Sequence, residues 1–168
     1  GGGPGVDLAA LAEPRDEPSR RAWELTERLL VETAREAAAH QAGFLLLTVS
    51  SDVQVHPDES VREAACRQLG VKDLFYADRR LDQLGRQYGF AVVNLAEPMG
   101  RYASENRVYL HGFDNTQLGV GHWNAAGHRL AAEIAGAAIC EQLQARSLLK
   151  KGPASSGPRS AVVQPDHR

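Results

Sequence analysis

The chain reads as an α/β protein, a parallel sheet with helices packed against it. Three observations point there. Two short continuous apolar runs, Phe44-Leu45-Leu46-Leu47-Thr48-Val49 and Phe90-Ala91-Val92-Val93-Asn94-Leu95, have the character of strands covered on both faces. Segments with apolar residues at helical spacing precede, separate and follow them. The stretch between the two runs is long enough for the helical, right-handed crossover that a parallel pair needs.

Residues 1 to 17, rich in Gly, Pro and acidic side chains, read as a loop. Pro18 suits the first turn of a long helix, where a missing N–H costs nothing. Along that helix Ala22, Leu25, Leu29, Thr33 and Ala37 form the expected buried stripe, widened by Trp23 and Leu30. Arg21, Glu24, Glu27, Arg28 and Arg35 lie opposite, and Gly43 breaks the pattern before the first strand. A polar loop through Asp52, His56, Pro57 and Asp58 follows. Ser60 and Glu63 then have capping-box spacing ahead of Val61, Ala64, Ala65 and Leu69, with Gly70 as the stop.

A further helix is expected from about Ala77 to Tyr88, with Leu81, Leu84 and Tyr88 on one face and Gly89 ending it. After the second strand, Pro98 opens a short helix, and an irregular Gly-rich stretch runs to Gly121. Asn124 is a good N-cap for the last helix, expected to bury Leu130, Ile134, Ala138 and Leu143. Residues 148 to 168 turn to Lys, Gly, Pro and Ser and read as a disordered tail, so the folded unit is expected at 18 to 147.

A length of 168 residues with 43% apolar side chains suits one domain with a sizeable core. Nineteen basic against 21 acidic residues, a net charge of −2, offer no electrostatic reason to expect nucleic acid or an anionic membrane as partner. Two cysteines, Cys66 and Cys140, make neither a disulfide framework nor a metal cluster. No apolar run approaches the roughly 18 residues that span a bilayer.

The only methionine is Met99, so the chain is expected to be a processed form or part of something longer. Gly1-Gly2-Gly3-Pro4-Gly5 lacks the charged and apolar regions of a signal peptide, and any such signal is expected upstream. Two strands also make a small sheet, as in the C-terminal part of a larger doubly wound domain that is incomplete at its N-terminus. Such an incomplete domain is expected to expose an apolar sheet edge or helix face.

Polar chemistry concentrates in His111-Gly112-Phe113-Asp114-Asn115 and in Gly119-Val120-Gly121-His122-Trp123-Asn124-Ala125-Ala126-Gly127-His128. Ligands of open α/β sheets sit in loops beyond the carboxyl ends of the strands. His122 lies on such a loop just ahead of a helix, where an imidazole relays protons near neutral pH. The alternative is that His122 packs beside Trp123 or caps a backbone group. Trp123 and His128 occupy the two positions of a hydrophobic staple, so packing is the better reading of His128. A zinc site from His111, His122 and His128 is a third alternative. The six-residue step from His122 to His128 does not match the i, i+4 spacing of helix ligands.

The block Gly121-His122-Trp123-Asn124-Ala125-Ala126-Gly127-His128-Arg129-Leu130-Ala131-Ala132 resembles the final conserved block of the SGNH, or GDSL-type, hydrolases. There a catalytic His is followed by an apolar residue, Asn, two variable residues, Gly and His, leading into the last helix. The likeness extends in layout over roughly residues 18 to 145. It implies a flavodoxin-like three-layer fold and a serine esterase or acylhydrolase that needs no cofactor and no metal. By the resemblance His122 matches the general base, and Asn124 and Gly127 match positions that shape the turn into the helix.

Two departures accompany it. The family's Asp three residues before the His is replaced by Gly119. Asp114 is a candidate orienting carboxylate if the loop folds back, a backbone carbonyl is another, and Asp114 is equally a turn residue, the favoured reading. The Gly-Asp-Ser nucleophile motif and the Gly-x-Asn-Asp motif are both missing from the sequence, and the nucleophile is expected upstream. Ser50 and Ser51 end a strand at the correct sheet edge, but Ser-Ser-Asp is ordinary turn chemistry. The expected substrate is a small-molecule, carbohydrate or lipid ester. The rival readings are a non-catalytic, degenerate binding domain and a His-dependent metal hydrolase.

Overall fold

A computed structural model of the chain describes residues 8–151. It shows a mixed helix and strand protein, with a two-stranded parallel sheet and flanking helices. A short 3₁₀ turn, Leu8–Leu11, precedes α1 (Glu17–Ala39), β1 (Leu45–Thr48), α2 (Glu59–Leu69), α3 (Tyr76–Tyr88), β2 (Ala91–Asn94), α4 (Ala96–Asn106) and α5 (Ala125–Lys151). β1 and β2 pair in register from Leu45 opposite Ala91 to Thr48 opposite Asn94. The strands are thus two residues shorter than the apolar runs that announce them. None of the described helices is long and apolar enough to cross a membrane.

Alternation along β2 separates the flanking helices. Val92 meets α3 at Gly85, where a Cβ would lie 2.5 Å from the Val92 side chain. Val93 faces the main core of Val55, Leu95, Met99, Ala103, Leu110 and Ala131, against which Leu130 and Ile134 of α5 also pack. Neighbouring strand residues point to opposite faces, so α3 and α5 cover β2 from two sides. A smaller cluster of Leu11, Ala65 and Leu74 holds the amino-terminal turn against α2.

α1 turns inward only part of the expected stripe, namely Trp23, Leu30 and Ala37. Leu25 and Leu29 are 58% and 60% exposed, while Trp23, Glu27, Leu30, Val31 and Ala34 face the protein. The cause is a polar clasp to α3. Glu27 pairs with Arg80, whose guanidinium lies 4.9 Å from the Trp23 ring centroid and donates to Tyr76 Oη at 2.8 Å. The side chain facing opposite charge and an aromatic ring on α3 is a glutamate, which a purely apolar count assigns to solvent.

Other expectations are corrected on smaller points. Asp16 caps α1, accepting from Ser19 N at 2.8 Å, with Pro18 in the first turn. The cap of α2 is Asp58, not Ser60: its carboxylate accepts from both Ser60 N and Ser60 Oγ, and Glu63 pairs with Arg67 instead. A carboxylate outcompetes a hydroxyl for these donors because it carries a full negative charge at the positive end of the helix. Gly70 and Gly89 do end their helices in the left-handed conformation.

β1 is not covered on both faces. Both flanking helices pack on β2, leaving Leu47 37% and Val49 66% exposed. In α5 Leu130, Ile134 and Ala138 are half-buried, but Leu143 is exposed. α5 continues through residues 148 to 151, which read as tail; the rest of the expected disordered tail, 152 to 168, lies outside the described residues, as do residues 1 to 7 of the expected loop.

Candidate active site

The carboxyl ends of the two strands are bound together by a polar network. Thr48 Oγ1 lies 2.9 Å from Asp78 Oδ1 and 3.1 Å from Asn94 Oδ1. Gln54 Nε2 donates to Asp78 Oδ2 at 3.1 Å and to the Leu74 carbonyl at 2.8 Å, while its Oε1 accepts from Ser51 N. Asp78, Gln54 and Ser51 are buried, and this network fixes the loop that leaves β1.

Onto that loop the segment carrying His122 is fastened. Trp123 Nε1 donates to Ser50 Oγ at 3.0 Å, and Gly121 N donates to Asp52 Oδ2 at 2.9 Å. His122 thus stands beside the carboxyl end of the sheet, where a ligand-binding loop belongs. A hollow of about 510 Å³ between Phe44, Phe90, Ile139 and Leu143 lies at the other end, where the strands begin.

The backbone around His122 is pinned on every side. Gly112 N donates to the His122 carbonyl at 2.9 Å, Gly119 N to the His111 carbonyl at 2.9 Å, and Asn124 N to the Leu110 carbonyl at 3.0 Å. His111 and Trp123 form an isolated antiparallel bridge. Asn124 Oδ1 accepts from Gly127 N at 3.0 Å, capping α5, and Asn124 Nδ2 donates to the Tyr109 carbonyl at 2.8 Å. Gly127 has no room for a side chain, because a Cβ would run into the Leu110 carbonyl oxygen. The His122 imidazole itself is exposed and makes no hydrogen bond among the described residues.

His111 is 4% exposed and lies behind this segment. Its Nδ1 is 2.6 Å from the Gly121 carbonyl oxygen, which can only accept, so the proton of the neutral ring resides on Nδ1. Nε2 is buried with no partner. Burial pushes the His111 imidazole below its usual range, with the His122 ring acting in the same direction; the Gly121 carbonyl and the Asp52 charge oppose them.

Gly119 is buried with φ +81°, and a Cβ there would lie 2.8 Å from His56 Nε2 and 3.0 Å from Tyr109 Cδ1. A side chain at the position that bears Asp in the resembled family would therefore strain the backbone and displace the His56 ring. Asp114 sits exposed in a turn, with Thr116 N donating to the Phe113 carbonyl at 2.8 Å, and its carboxylate forms no hydrogen bond among the described residues. Ser50 and Ser51 are buried and engaged by Trp123 and Gln54.

His128 meets the Trp123 ring edge-on at 5.5 Å, a packing contact at the start of α5. His111, His122 and His128 do not converge, and no group of three or more His, Cys, Asp or Glu fit to hold a metal ion occurs among the described residues. Asp52 carries a role that sequence reading does not expose, since its partner Gly121 lies 69 residues away. Comparison with protein-family models, with curated proteins and with solved structures finds no match to this chain.

Proposed function

We propose that residues 18 to 147 are the C-terminal part of an SGNH-like serine esterase or acylhydrolase of flavodoxin-like fold, with His122 as general base. The observation that carries this reading is an exposed imidazole, without a hydrogen bond among the described residues, held on pinned backbone at the carboxyl end of a parallel strand pair. The capping of α5 by Asn124 and the close approach at Gly127 are the local shapes for which the resembled block needs those residues.

In this reaction the serine comes from a segment outside the 168 residues. Its hydroxyl attacks the carbonyl carbon of an ester while His122 takes the proton. The tetrahedral intermediate collapses as His122 returns that proton to the leaving alcohol, leaving an acyl-enzyme. Water, deprotonated by the same imidazole, then releases the acid and restores the serine. Among the described residues no carboxylate bonds His122, which supports a Ser-His dyad.

The test is ester hydrolysis with p-nitrophenyl acetate. The 168-residue chain alone is expected to show no turnover above buffer. The full-length gene product is expected to turn over and to lose about 10⁴- to 10⁶-fold in rate in His122→Ala. Undiminished turnover in His122→Ala removes the reading.

The crowded position at Gly119 favours one other reading, a binding domain without catalysis. An inactive full-length product with no serine labelled by a fluorophosphonate probe would select it.

A further inference from the structure

The residue before His122 is held at both of its backbone polar groups by side chains from elsewhere in the chain. Gly121 N donates to Asp52 Oδ2 at 2.9 Å, and the Gly121 carbonyl accepts from His111 Nδ1 at 2.6 Å. We infer that Asp52 and His111 form a clamp on Gly121 that positions the backbone carrying His122. Its catalytic meaning rests on the proposed hydrolase reading; the clamp itself does not.

The chemistry of each jaw suits the task. Asp52 is fixed by its own neighbour, because Oδ1 accepts from Val53 N at 2.7 Å and leaves Oδ2 for Gly121. Only a carboxylate offers two acceptors in that geometry. A hydrogen bond to a charged acceptor is also stronger than a neutral one. His111 contributes a donor from a ring that packing immobilises: it is 4% exposed and lies edge-on to Trp123 at 6.4 Å between ring centroids.

Gly121 needs such restraint. Its φ is +89°, and no residue beyond its chain neighbours lies within 4 Å of a Cβ position, so nothing packs against it on that side. A glycine in open space gains the most conformational freedom if released. Two side-chain bonds on its N–H and C=O remove that freedom directly ahead of His122. Small displacements of a catalytic group cost rate heavily, so this restraint matters to a proton relay.

Amide hydrogen exchange and ¹⁵N relaxation on the 168-residue chain test the clamp. In Asp52→Ala, exchange at Gly121 N–H is expected to rise at least about tenfold, with increased motion at His122, while Val92 and Val93 keep their protection. Asp52→Asn, with one acceptor, is expected to fall between. His111→Asn, whose amide replaces the Nδ1 donor, is expected to retain Gly121 protection, and His111→Leu to lose it.

Unchanged Gly121 exchange in Asp52→Ala, or a rise only in step with Val92 and Val93, overturns the clamp. In the full-length hydrolase, Asp52→Ala is expected to lower kcat about tenfold or more with KM unchanged and Asp52→Asn to recover part of it. An unaltered kcat overturns the positioning role. Activity that survives His122→Ala instead removes the hydrolase reading and leaves the exchange result standing.

Discussion

Trp123 Nε1 donates to Ser50 Oγ at 3.0 Å, so the residue after His122 is tied to the loop leaving β1 across 73 positions of sequence. The bond gives a half-buried indole its one polar partner and places Ser50 out of reach as a nucleophile. Replacing Trp123 by Phe keeps most of the ring and removes the bond, at an expected cost of about 1 kcal/mol. Trp123→Ala also removes the ring's packing against the main core and against His128 and is expected to cost about 2 kcal/mol more. Urea unfolding of the two variants measures the difference; equal losses would mean the ring contributes no packing.

Asp78 is the hub of the network that joins β1, β2 and α3. Asp78→Ala leaves one Gln54 Nε2 hydrogen without its buried acceptor and leaves Thr48 Oγ1 with Asn94 Oδ1 alone, for an expected loss of about 1–3 kcal/mol. Arg79→Ala, which breaks an exposed pair with Asp73, is expected to cost under about 1 kcal/mol. Chemical denaturation midpoints decide the order, and a larger loss in Arg79→Ala would contradict it.

His111 gives stability a pH dependence. Its lowered value in the folded protein means that the native state binds fewer protons than the unfolded chain below the ordinary value of 6.5. Its contribution is full above about pH 6.5 and is lost as the pH falls from there through the folded-state value. Asp16 and Asp58 are held low by their bonds to Ser19 and Ser60, and their contributions are lost only as the pH falls below 3.8. Melting temperatures between pH 7.5 and 5 are therefore expected to drop for the wild type and less for His111→Asn. Parallel curves would remove His111 as the cause.

How much of this was legible follows from the range of each interaction. Gly70, Gly89 and Asn124 act within a turn of their own position, and their roles can be read from the sequence alone. The α1 face depends on Arg80, 53 residues from Glu27, and apolar spacing carries no trace of that pairing. His122 stood out because glycines and a cap surround it. Asp52, an ordinary residue in a Ser-Ser-Asp turn, acquires its role only when the fold brings Gly121 beside it.

The exposed side chains of β1 have a consequence for behaviour in solution. Leu47 lies in β1 and Val49 just beyond its end, and the outer edge of that strand carries no Lys, Pro or bulge. The chain is expected to associate as its concentration rises, and Val49→Lys to reduce that association at a cost within about 0.5 kcal/mol. Sedimentation velocity at increasing concentrations checks both. A monomer at every concentration would show that the edge is protected in another way.

The crowding at Gly119 also constrains the order in which this sequence can change over generations. A Cβ at 119 lies 2.8 Å from His56 Nε2, so any side chain there displaces the His56 ring. A lineage starting from this sequence would have to move or shrink the side chain at 56, at the expense of the edge-on contact between His56 and Tyr109 at 5.5 Å. Two sites far apart in the chain are thereby locked into one evolutionary history. Homologues with Asp at the position of Gly119 are expected to lack a ring at that of His56.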